Sequence, residues 1–155
     1  MVKVIRHERY DGRTLKNDIA LLKLEKPLEF NEFVQPAKLP HQEQETSGDC
    51  IVSGWGATSY QGPLSDTLQK VDVPVIDDDE CLGYYAWYHI YDSNICAGYK
   101  EGGKDSCNGD SGGPLYCKGH LTGIVSWGYQ CARPEYPGVY TQVSYFIDWI
   151  RNNTQ

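Results

Sequence analysis

At 155 residues the chain has room for one domain with a real buried core, and its net charge of −7 excludes the basic surface of a nucleic-acid binder or of a protein held on an anionic membrane. No apolar run is long enough for a transmembrane helix. Forty per cent hydrophobic residues, 16 Gly and 8 Pro, with period-2 runs, predict a turn-rich all-β protein.

The elements follow in chain order. Residues 2–10 alternate enough for a strand that runs into a loop, and Asp11-Gly12 is a turn. Asn17-Asp18 precedes Ile19–Leu24, an apolar run of strand length. A carboxylate beside a buried strand needs hydrogen-bond partners, so Asp18 is either a strand cap or a group held for chemistry. Residues 25–49 carry three prolines, many charges and no period, and read as a surface linker. Cys50–Gly56 is a strand ending in glycines, 57–66 an exposed loop, and Leu68, Val71, Val73 and Val75 mark a half-buried strand to Ile76. Asp77 with Glu80 three residues on predicts the capped start of a short helix. A tyrosine-rich loop over 82–94 leads to a strand at 95–98, and further strands are expected at 115–117, 121–127 and 138–141. From Gln142 the period changes: Val143, Phe146, Ile147 and Ile150 share a helical face with Trp149 at its edge, predicting a closing helix. Asn152-Asn153-Thr154 is a glycosylation sequon, a triplet common by chance.

Six cysteines with no zinc-type spacing predict three disulfides and an oxidising compartment, and the connectivities that six cysteines allow stay open at this point. The start Met1-Val2-Lys3-Val4 has no apolar stretch of the secretory type, so an export signal is expected upstream.

The most informative stretch is Lys104-Asp105-Ser106-Cys107-Asn108-Gly109-Asp110-Ser111-Gly112-Gly113-Pro114. It reads as a hydroxyl held on a turn that glycine makes possible, where backbone N–H groups can converge on a developing oxyanion. A plain glycine-rich connection between strands is the other reading. Gly109-Asp110-Ser111-Gly112-Gly113-Pro114 resembles the nucleophile signature of the trypsin-like, chymotrypsin-family serine proteases. Asn17-Asp18-Ile19-Ala20-Leu21-Leu22 resembles the motif around that family's triad aspartate.

This resemblance implies that Ser111 is the nucleophile, that Asp18 orients a catalytic histidine, and that the N–H groups of Gly109 and Ser111 form the oxyanion hole. It places Asp105 on the floor of the pocket for the substrate side chain, with Ser106 beside it. Ser126, Trp127, Gly128 and Tyr136–Tyr140, including Gly138, become its walls. A carboxylate at the base of an apolar pocket favours Lys or Arg, whereas a solvated loop position for Asp105 would leave specificity open. Asp110 is implied to pair with an α-amino group released by proenzyme cleavage. The region around Met1 does not resemble such a terminus, so a loose oxyanion turn is expected. The implied disulfides are Cys50–Cys117, Cys81–Cys96 and Cys107–Cys131, each contributing on the order of 3 kcal/mol in the chain-entropy model.

The implied fold is all-β, a chymotrypsin-like double antiparallel β-barrel. Residues 1–24 would be the end of the first barrel, 25–49 the linker, 50–141 the complete second barrel and 142–155 the C-terminal helix. The family order is His, Asp, Ser. Only His7 precedes Asp18, and Arg6-His7-Glu8-Arg9-Tyr10 lacks the Ala-Ala-His-Cys pattern; His41, His89 and His120 fall in linker, loop and hairpin positions. The catalytic histidine is therefore expected outside this chain, which alone should be inactive, with apolar surface of residues 19–24 exposed. The resemblance implies no cofactor and no metal site. Expected partners are protein or peptide substrates with Lys or Arg at the cleaved bond and protein protease inhibitors, with a monomeric, secreted complete protein. The alternative is a non-catalytic truncated homologue that binds peptides or inhibitors.

Overall fold

The computed structural model describes residues 3–154. Strands β1 (Lys3–Arg6) and β2 (Ala20–Lys23) pair antiparallel, with Ile5 opposite Leu21 and Val4 opposite Leu22. Ile19 is buried just ahead of β2, but Leu22 is 61% exposed, so this small sheet offers an apolar face that no described residue covers. Residues 24–48 form neither helix nor strand. They are nevertheless tied to the rest: Leu121 N–H donates to Lys38 O (2.8 Å), Glu43 N–H to Ser144 O (2.9 Å), and Asp148 N–H to Gln42 Oε1 (3.0 Å).

Six strands then close an antiparallel barrel: β3 (Asp49–Gly54), β4 (Gln69–Ile76), β5 (Asn94–Ala97), β6 (Pro114–Cys117), β7 (His120–Trp127) and β8 (Gly138–Gln142), in the order β3-β4-β5-β8-β7-β6. The period-2 pattern sends Val52, Val73, Ile95, Ala97, Leu115, Val125 and Tyr140 inward, where they form the main core together with Cys50 and Cys117. Closure leaves no free edge strand in the barrel. Three disulfides brace it: Cys50–Cys117 across β3 and β6, Cys81–Cys96, and Cys107–Cys131.

Helix α1 (Asp78–Tyr84) is capped by Asp77, whose side chain accepts from Asp79 N–H at 3.0 Å. The expected reciprocal bond from Glu80 is not made. Its carboxylate instead accepts the Tyr84 hydroxyl proton at 2.6 Å, a bond to the residue one turn ahead. At the end of the chain a 3₁₀ turn (Val143–Phe146) precedes α2 (Ile147–Thr154), and Val143, Phe146 and Ile147 are buried against the body.

Candidate active site

Ser111 sits exposed on the turn between Cys107 and Pro114. Asp110 N–H donates to Cys107 O (3.0 Å), Gly113 N–H to Asp110 O (2.8 Å) and Gly112 N–H to Val125 O (2.9 Å), which locks the turn onto β7. Gly109 has φ +97°, and a Cβ there would lie 2.5 Å from Leu64 Cδ2 and 3.1 Å from Gly56 Cα. Only glycine fits that backbone and that gap. The N–H groups of Gly109 and Ser111 donate to no acceptor among the described residues, and so remain available to a ligand oxygen.

Beside the turn lies a cavity of about 170 Å³, lined among others by Asp105, Ser106, Ser111, Ser126, Trp127, Gly128 and Gly138. Asp105 is half-buried in its lining. Its Oδ1 accepts from Ser106 N–H (2.8 Å) and its Oδ2 from Ala132 N–H (3.0 Å). Burial pushes its carboxyl up from the ordinary 3.8 to about 6; those N–H bonds oppose the rise and the negative Asp110 adds to it. A Cβ on Gly138 would meet Asp105 Oδ1 at 2.5 Å, so glycine keeps this side of the carboxylate open. Gly128 differs: a Cβ there would meet protein atoms only at ordinary contact distances of 3.7 Å and more. The buried Tyr140 donates its hydroxyl proton to Ser106 Oγ at 3.2 Å, and burial holds that phenol well above its usual range.

Asp18 stands just ahead of β2, in a conformation its neighbours fix. Asn17 takes φ +56°, which asparagine tolerates better than most residues, and its side-chain amide donates to Arg9 O at 2.9 Å. Ile19 N–H closes onto Asn17 O (2.9 Å), and the Thr141 hydroxyl donates to Asp18 O (2.7 Å). The Ser126 hydroxyl donates to Asp18 Oδ2 at 2.7 Å. Ser126 can turn this way because the β7–β8 register shifts between Val125 and Trp127, leaving Ser126 as the extra residue of a bulge. Ser126 thus both lines the cavity and bonds Asp18, a second contact the sequence reading did not foresee.

No histidine joins this group. The His7 ring packs on Phe146 and Trp149, with centroids at 5.4 and 5.1 Å, and its Nδ1 accepts from Arg9 N–H. The His120 ring hydrogen-bonds Lys118 O. Asp110 points away from the cavity, its carboxylate accepting from Gly56 N–H (2.8 Å) and Cys107 N–H (3.0 Å). Two backbone donors thus hold Asp110, for which no ammonium partner was expected in this chain.

The family model described as Trypsin matches residues 1–150. The chain belongs to the trypsin family. It is 56% identical to Trypsin-1 of Astacus astacus over 97% of its own length and 65% of that protein, and 49% identical to Serine protease 1 of Rattus norvegicus over 97% and 61%. The Trypsin of Squalus acanthias is 50% identical over 95% of this chain and 64% of that protein. The chain thus spans under two thirds of the length of these curated relatives. Within this trypsin-family chain, Thr141 and Ala132 are supports that sequence reasoning missed. Each acts through a contact to a distant residue, and no local pattern announces it.

Proposed function

We propose that the complete protein is a serine endopeptidase that cleaves after Lys or Arg, and that these 155 residues supply its nucleophile, orienting aspartate and specificity pocket. The observation that carries this reading is that the exposed Ser111 and the half-buried Asp105 line one cavity. A substrate Lys or Arg enters that cavity and pairs with Asp105, which brings the following carbonyl carbon to Ser111 Oγ. A histidine outside these residues takes the hydroxyl proton, Asp18 orienting it and stabilising its charge. The carbonyl oxygen becomes an oxyanion held by the Gly109 and Ser111 N–H groups. Collapse expels the amine, which takes the proton from the histidine, and water then repeats the sequence on the acyl-serine. The substrate backbone pairs as an added strand along Ser126–Gly128. The 155 residues alone are expected to be inactive. Three disulfides agree with a secreted protein, for which protein protease inhibitors are natural partners.

The test is turnover of an arginyl amide and a leucyl amide by the complete protein. The account expects hydrolysis of the arginyl compound only, and equal rates would remove Asp105 from the reading.

A pH dependence follows from the raised carboxyl of Asp105. A cationic ligand needs the carboxylate, whereas a proton competes for it below about 6. Binding of a small amidinium compound to this chain should therefore weaken as pH falls, by about tenfold between pH 7 and pH 5. Titration calorimetry at both values checks it; affinity independent of pH over that range would contradict a half-buried carboxylate as the binding group.

A further inference from the structure

Asn152-Asn153-Thr154 takes no part in the proposed catalysis, and as a triplet it carries little, because such triplets arise often by chance. The structure adds a comparison among the chain's six asparagines, of which Asn152 alone heads an Asn-X-Ser/Thr triplet. Asn94 heads the related Asn94-Ile95-Cys96, but it is buried within β5, its side chain accepts from Tyr91 N–H at 3.0 Å, and Cys96 is held in the Cys81–Cys96 disulfide. Asn17 is buried with its amide on Arg9 O.

Asn152 stands in the last turn of α2. That helix buries Ile147 and leaves Asp148, Arg151 and Asn152 exposed. Positions 148 and 152 are one turn apart and so share an outward face. The side chains around Asn152 are engaged. Arg151 pairs with Asp148 (3.7 Å), Asn153 Nδ2 donates to Trp149 O (2.8 Å), and the Thr154 hydroxyl donates to Ile150 O (2.9 Å). The Asn152 amide enters none of these bonds and has no other hydrogen-bond partner among the described residues. A sugar chain is bulky and strongly hydrated, so a folded protein tolerates it only on an amide that faces water. No residue of α2 lines the cavity beside Ser111. A chain attached at 152 therefore displaces no packed side chain and nothing of the candidate site.

Transfer of the sugar needs the triplet extended, with the hydroxyl of residue 154 turned to the acceptor amide, and in folded α2 that hydroxyl is bonded to Ile150 O. The helix has eight residues, and a helix that short is marginal until it docks. Modification thus precedes docking, while the segment is still open.

We propose that Asn152 is an N-glycosylation site that takes an oligosaccharide from a lipid-linked diphosphate donor in the secretory compartment. A bond forms from Asn152 Nδ2 to the first sugar carbon as that carbon's bond to the diphosphate oxygen breaks. The amide gives up one proton and the lipid diphosphate leaves. The proposal rests on the secreted reading given above for the three disulfides.

The test expresses the complete protein in cultured animal cells in three forms: natural, Asn153→Ala and Thr154→Ala. Treatment with a peptide-N-glycosidase in heavy-oxygen water leaves an isotope-marked aspartate wherever an asparagine carried sugar, and the peptide containing position 152 is read by mass. The mark should stand at 152 in more than half of the natural molecules. Asn153→Ala removes the bond to Trp149 O but keeps the triplet, and should retain the mark. Thr154→Ala leaves Asn152 in place and should lose it. A secreted, disulfide-bonded protein in which 152 is unmarked, or marked in a minority of molecules, overturns the proposal while leaving the secreted reading intact. So does a Thr154→Ala variant that is still marked, or an Asn153→Ala variant that is not. A complete protein that stays inside the cell with free thiols would remove the secreted reading, and the site with it.

Discussion

Replacing Ser111 by alanine in the complete protein is expected to lower kcat about a millionfold with little change in KM. In the proposed mechanism the Ser111 hydroxyl oxygen forms the covalent bond, so its loss would remove the acyl-enzyme route and not merely a contact. The surroundings should stay intact. Ser111 is exposed, and the turn is held by backbone bonds from Asp110, Gly112 and Gly113 that alanine leaves in place. Residual turnover would come from substrate binding and the free N–H groups of Gly109 and the residue at 111. Steady-state kinetics on an arginyl amide measures it. A loss of less than about a hundredfold would mean that another group attacks the carbonyl.

The second large effect is expected at Asp105. Removing one partner of a buried charge pair costs about 2–5 kcal/mol, which is roughly 30- to 4,000-fold in kcat/KM for an arginyl substrate. Asp105→Ser also strips an acceptor from Ser106 N–H and Ala132 N–H, so part of its effect could come from disturbing the cavity's lining. Asp105→Asn separates the two causes. It retains an acceptor oxygen while removing the charge, and the account expects it to lose nearly as much activity as the serine variant. A near-normal arginyl rate in Asp105→Asn would show that the group acts by shaping the cavity and not by its charge.

Much of the fold was legible because the barrel strands keep period 2. Val71, Val73 and Val75 marked β4, and Cys50 with Val52 marked β3; these side chains do turn inward or lie half-buried. The closing helix was legible in the spacing of Val143, Phe146 and Ile147, although its first turn tightened to 3₁₀. The start of α1 was legible at Asp77, which caps it, although Glu80 bonds the tyrosine four residues ahead. Around the candidate site, the glycines of one short motif marked the turn at Ser111, while the expectation for Asp105 came from the family resemblance alone. The supports of Asp18 did not show. Ser126 reaches it through a one-residue register shift, and Thr141 through a contact across 123 positions. Neither a bulge nor a contact of that span leaves a mark in local composition.

The measurement that bears most directly on the central claim is covalent trapping. The complete protein would be treated with an arginine analogue carrying a serine-reactive phosphonate, then digested, and the adduct located by mass. The account predicts one adduct per molecule, on Ser111, with activity lost in proportion to labelling and with no adduct when Ser111 is replaced by alanine. Inactivation with the label on any other residue, or labelling of Ser111 that leaves hydrolysis untouched, would contradict it.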